Sequence, residues 1–146
     1  MKTIPTTPNS VLDTANADRG RLILRVVLAA MLLFHGVSKL QHGIGFIADM
    51  LAKMGLPAAI GYLVYVGEVI APLLILSGLW TRAAALVVAG NMIVAVLLVH
   101  TQELFTMSQT GGWALELQGM YFFAAIAVAL LGAGRYSVGG RDGKWN

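Results

Sequence analysis

The chain has 146 residues, of which 58% are hydrophobic and 12% charged, and its formal net charge is +3. A water-soluble domain carries about a quarter charged residues, so the polar groups here are too few to cover a water-facing surface, and lipid is the expected solvent. With no cysteine, disulfides, thiolate metal sites and dithiol chemistry by this chain are excluded; basic residues that sit at segment ends rather than on one folded face argue against nucleic acid.

Residues 1–20 contain Pro5, Pro8, Asn9, Ser10, Asp13, Asn16 and Asp18 and are expected to form a mobile tail with one helical turn near Val11 and Leu12. No small-residue cleavage site closes the apolar segment that follows, so it is expected to stay in the protein as a first span over about 22–40. Arg21 and Arg25 mark its basic end, with Arg25 one turn inside and able to snorkel outward. In the connector, Phe46, Ile47, Met50, Leu51 and Met54 recur at helical spacing opposite Asp49 and Lys53, ahead of a stop at Gly55 and Pro57. This predicts a short amphipathic helix in the membrane interface, partly lidding the bundle.

A second span over about 60–79 contains Glu68 and Pro72; the proline presses on the carbonyl of Glu68, so a kink is expected there. The turn Trp80-Thr81-Arg82 allows only an antiparallel hairpin into a third span over about 83–100, with Arg82 expected to cap the second helix. Ala85 and Ala89 have the spacing of a close helix contact. A polar connector with Gly111-Gly112 and Trp113 precedes a fourth span over about 115–131, and residues 136–146 form a polar tail. The chain thus reads as one all-α transmembrane four-helix bundle over 21–135 with both termini on one side. Lys2, Arg19, Arg21, Arg25, Arg82, Arg135, Arg141 and Lys144 fall on the terminal side, against Lys39 and Lys53 on the other, which predicts cytoplasmic termini.

That topology puts His35, Lys39, Glu68, His100, Glu116 and Tyr121, drawn from all four spans, in the outer half of the membrane. Ionisable side chains in a span cost roughly 2.5 to 3.5 kcal/mol, so they should face inward and pair. His35 and Lys39 share a helix face, and a Lys39–Glu68 pair with His35 hydrogen-bonded alongside balances charge at least cost. Glu68 is the deepest of the set. Each has a structural alternative: interhelical bonding for His35 and the Lys39–Glu68 pair, solvated helix ends for His100 and Glu116, an interface anchor for Tyr121. Asn91, on the inner half, reads as interhelical glue.

The run His35-Gly36-Val37-Ser38-Lys39-Leu40, the turn Gly55-Leu56-Pro57, Glu68, the hairpin Leu79-Trp80-Thr81-Arg82 and the closing Gly132-Ala133-Gly134-Arg135-Tyr136-Ser137 occur in an order and spacing that resembles the DoxX family of small bacterial four-helix membrane proteins. The resemblance covers about residues 20–140; where the family continues into a leucine and an aspartate, this chain has Val138 and Gly139, a departure expected to affect only the tail. It implies a multi-pass protein of the bacterial inner membrane, tied to quinone-linked oxidation or redox stress without an agreed activity. The residues are compatible with that: Glu68, His35 and Lys39 would act on a quinone headgroup, with His100, Glu116 and Tyr121 also lining its site, and electrons would come from a redox partner subunit. Two other readings stay open, a non-catalytic accessory subunit, and a transporter or binding protein for a small amphipathic molecule, for which a homodimer would supply the missing half. Haem or a metal is disfavoured, since no single span offers more than one of His35 and His100.

Overall fold

A computed structural model describes residues 8–141 and 143–146 and is helical throughout its regular parts. Residues 1–7, including Lys2 and the start of the expected tail, and Asp142 lie outside the described residues. The first helix, α1 (Pro8–His42), is 35 residues long, about 52 Å at 1.5 Å per residue. It begins well before Leu22, so residues 8–20 continue the span rather than trailing from it. The reason lies far away in the chain. Asp18 is buried, and its carboxylate accepts from Arg21 at 3.1 Å, from Arg141 and from the Arg135 backbone amide at 3.4 Å. A segment too polar to pack by apolar burial is held by ion pairing instead.

The predicted amphipathic segment is α2 (Gly45–Lys53), with Leu51 as its buried residue. The second span, residues Ala58–Ser77, is continuous but changes helical type: a 3-10 turn (Ala58–Leu63), a π segment (Val66–Ile70) and then α3 (Ala71–Ser77). Pro72 accounts for the change, because it has no N–H for the Glu68 carbonyl and its ring crowds that oxygen, and widening to π pitch accommodates both. The span ends at Gly78, whose φ of +75° lets the amides of Gly78 and Leu79 both fold back to the Leu74 carbonyl, at 2.9 and 3.0 Å. The hairpin leads directly into α4 (Thr81–Val99), and α5 (Glu116–Leu131) closes the bundle.

Leu28, Leu32, Ile75, Val88, Met92 and Val128 form the core with a set of alanines, among them Ala85 and Ala89, both buried as their spacing predicted. Small side chains let α4 lie close to α3 and α5. The outside is apolar too: Phe34, Leu97, Phe123 and Leu130 are all more than half exposed. Among the described residues three helices are long and apolar enough to cross a membrane, and the 16-residue α5 is a shorter apolar helix. With so little polar surface, the protein is a helical membrane bundle.

Two arginines differ from their expected places. Arg25 does not snorkel; it is 2% exposed and donates to the carbonyls of Ile75 (2.9 Å), Leu76 (3.1 Å) and Tyr136. It therefore caps the second span, the task expected of Arg82. Arg82 instead donates to Ala129 (3.0 Å) and Leu130 (2.9 Å), the last carbonyls of α5, and to Asn146 (2.8 Å). Both place a cation where unsatisfied helix carbonyls concentrate negative charge. The C-terminal segment is tied into the same end: Val138 and Gly139 donate to Ser77 and Gly78 at 3.0 and 3.2 Å, and the Asn146 side chain accepts from Thr81. The family departure at Val138-Gly139 therefore falls on residues that pack against the hairpin. Replacing Arg25 by methionine removes three charge-assisted hydrogen bonds, leaving the Ile75 carbonyl only its bond from the Gly78 amide, and thermal unfolding in detergent should show a loss of about 2 to 3 kcal/mol.

Candidate functional site

At the end of the bundle opposite Arg25 and Arg82, the helices part around a cavity of about 700 Å³. Its walls are mostly aliphatic, and α2 lies along it with Phe46, Ile47, Met50 and Leu51 turned inward. The polar groups come from each span: His35 and Lys39 from α1, Glu68 from the π segment, Asn91 from α4 with His100 just beyond its end, and Gln118 and Tyr121 from α5. Of the six residues singled out from sequence, His35, Lys39, Glu68, His100 and Tyr121 share this cavity. Glu116 does not line it; it is exposed, and its carboxylate lies beside Gly112 in the preceding loop.

The predicted ion pair is present. Lys39 Nζ lies 2.6 Å from Glu68 Oε2, with the Glu68 side chain 8% exposed and that of Lys39 24%. Two glycines make the approach possible: a Cβ at Gly36 would collide with the Glu68 carbonyl oxygen, and one at Gly67 with the Asn91 side chain. The backbones of α1 and the second span are thus in direct contact at the level of Glu68. Tyr65 adds a hydrogen bond from its hydroxyl to the Lys39 carbonyl at 3.1 Å.

His35 is not bonded alongside that pair. Its Nε2 faces the Tyr121 hydroxyl at 3.5 Å, the rings edge to face with centroids 5.9 Å apart. His100 makes a separate link, with Nδ1 2.9 Å from Glu103 Oε2 and Nε2 3.2 Å from Gln118 Nε2. A proton on Nδ1 satisfies the carboxylate and leaves Nε2 to accept from the amide. Gln118 Oε1 and Asn91 Nδ2 are then buried without a hydrogen-bond partner. Asn91 consequently does not serve as glue through that nitrogen. An unpaired amide in an apolar wall is costly, which marks both residues as places for an outside hydrogen-bonding group.

Sequence reasoning missed Gln118 and undervalued Asn91. The available signals were Gly67 beside Glu68, and an amide inside the Ala- and Val-rich α4. Among the described residues no group of three or more His, Asp or Glu could hold a metal ion. The arrangement can neutralise charge through Lys39 and Glu68, exchange protons through His35 and Tyr121, and enclose an apolar body of ligand size.

Residues 20–101 match the DoxX family, more than half of the chain but ending before α5 and so before Gln118 and Tyr121. "Putative oxidoreductase CatD" of Bacillus subtilis (strain 168) is 33% identical over 86 residues, 59% of this chain and 63% of that protein. The chain therefore aligns with less than two thirds of that relative's length. No solved structure matches.

Removing one partner of the buried pair should cost more than removing both. Lys39→Met strands the Glu68 carboxylate, and the loss of thermal stability should exceed that of the Lys39→Met/Glu68→Gln double variant by roughly 1 to 3 kcal/mol. Additive losses in this cycle would show that the two side chains are uncoupled.

Proposed function

We propose that this chain, which belongs to the DoxX family, binds a quinone or quinol in its polar-tipped cavity and serves as a redox-associated component of the bacterial inner membrane. The observation that carries this reading is the composition of the cavity: about 700 Å³ of mainly aliphatic wall, into which a carboxylate–ammonium pair and a histidine–tyrosine couple both project. A quinone headgroup asks for that combination, an apolar slot for the ring and hydrogen-bonding groups at its two oxygens. The name of the B. subtilis relative, an oxidoreductase, is in keeping with it.

In this reading Lys39 donates to one ring oxygen or balances its charge, and His35 with Tyr121 hands protons to and from the other. Glu68 holds Lys39 in place and can itself take up a proton. Reduction of the ring to the quinol takes two electrons and two protons; the protons pass through these groups, and the electrons come from a redox partner subunit. In this reading both termini face the cytoplasm and the cavity lies in the outer leaflet. The distribution along the sequence supports that orientation, with Lys2, Arg19, Arg21, Arg25, Arg82, Arg135, Arg141 and Lys144 on the terminal side against Lys39 and Lys53 on the other.

Tryptophan fluorescence of the protein in lipid nanodiscs, titrated with a short-chain quinone, tests the reading. Wild type should show saturable quenching, and Glu68→Gln should weaken binding about tenfold, the loss of one charge-assisted contact. Quenching that never saturates, or that is the same in Glu68→Gln, would favour an accessory subunit in which the polar cluster only holds helices together.

A further inference from the structure

The wall of the cavity includes valines outside the polar cluster. Val66 and Val87, which line it on the side of the second and third spans, also line a second hollow of about 130 Å³. This one runs between α3 and α4, with Ile70 and Leu74 on one wall, Ala83 on the other and Trp80 at its far end. The hollow has a simple cause in the sequence: between Val87 and Trp80 the α4 side carries only alanines, so the surface dips where a larger side chain would form a ridge. Val66, Ile70, Trp80 and Val87 are exposed, so the dip is a groove on the outer face of the bundle. From Val66 to Leu74 it extends about 12 Å, taking 1.5 Å of rise per residue.

A polar cavity that shares two wall residues with an apolar groove on the lipid-facing side suits one kind of ligand. A water-soluble ring has no use for the groove, whereas a membrane amphiphile needs an exit for its chain. We propose that the ligand is a single-tailed membrane amphiphile whose head occupies the polar cluster and whose chain passes between Val66 and Val87 to lie in the groove toward Trp80. This rests on the reading of the cavity as a quinone or quinol site and narrows it to tailed members confined to the bilayer. The shared residues Val66 and Val87 carry the inference, because they border both the head site and the groove.

Calorimetric titration of the full chain in nanodiscs separates the possibilities, using a benzoquinone without a tail, the same ring with a decyl chain, and a decyl phenol. Ala83→Phe fills the groove from a partly buried position outside the cavity lining. It should weaken the decyl quinone about tenfold relative to wild type while leaving the tail-less quinone within about twofold. Ile70→Trp, from the opposite wall, should produce the same split, which guards against a folding defect peculiar to one variant. Unchanged binding of the decyl quinone in both variants, or equal losses for tailed and tail-less rings, would overturn the groove and leave ordinary bilayer lipid as its occupant. If the decyl phenol binds as tightly as the decyl quinone and shows the same split, the groove stands and the quinone reading falls. If the tail-less quinone binds in a Glu68-dependent way and the chain adds nothing, the quinone reading stands and the groove falls. Saturable binding by none of the three would overturn both.

Discussion

Pro72 cannot donate a hydrogen bond to the carbonyl of Glu68, and much of the candidate site follows from that deficit. The second span answers it by widening to π pitch over Val66–Ile70, the stretch that contains Glu68. At the same level Gly36 and Gly67 remove the side chains that would hold neighbouring helices away, so the Glu68 carbonyl rests against α1 while Asn91 of α4 rests against Gly67. Glu68 is then carried by a distorted segment in close contact with two other helices, and Lys39 reaches it across the first contact. An acid placed in an apolar bundle is tolerable only with such a partner. The distortion, the two glycines and the ion pair make one device.

The two ends of the bundle handle polar groups differently. At the end that holds Asp18 and Asn146, Arg25 and Arg82 close the carbonyls of α3 and α5, Asp18 gathers Arg21 and Arg141, and the C-terminal segment seals the hairpin, although the Nε atoms of Arg21 and Arg25 are buried without a partner. At the other end the helices spread, α2 covers the gap with apolar side chains, and Asn91 and Gln118 keep a nitrogen and an oxygen without partners. A tightly capped base lets the opposite end stay open without losing the helix arrangement, because the entropic cost of ordering the spans is offset by the core and the caps. The unpaired groups that line the cavity, on Asn91 and Gln118, are where binding would be felt.

Periodicity and composition were sufficient for the architecture, because the need to satisfy backbone groups inside lipid leaves few solutions besides a helical bundle. Apolar runs marked the spans, Gly55 and Pro57 marked the break after α2, and Ala85 and Ala89 marked a close contact. The pairing of Lys39 with Glu68 was legible as well, since two opposite charges at one depth have little choice of partner. Local pattern failed where partners are remote in the chain. Residues 8–20 looked too polar to pack, and nothing near Asp18 in sequence announces Arg135 and Arg141.

The same limit applies to the site. Arg25 and Arg82 are both basic residues at span ends, and only the packing of helices decides that the first caps the second span and the second caps the last. His35 turns to Tyr121 rather than to Glu68, Glu116 stays outside, and Gln118 enters, because rotation of each helix about its axis depends on how its neighbours fit. Residue order therefore decided which helices form, which charges must be neutralised and that lipid surrounds them. Tertiary packing decided which polar groups meet, which are left unpaired, and that the cavity shares Val66 and Val87 with a groove between α3 and α4. The physical reason is that burial and charge compensation act on each segment separately, whereas a cavity is defined only by several segments together.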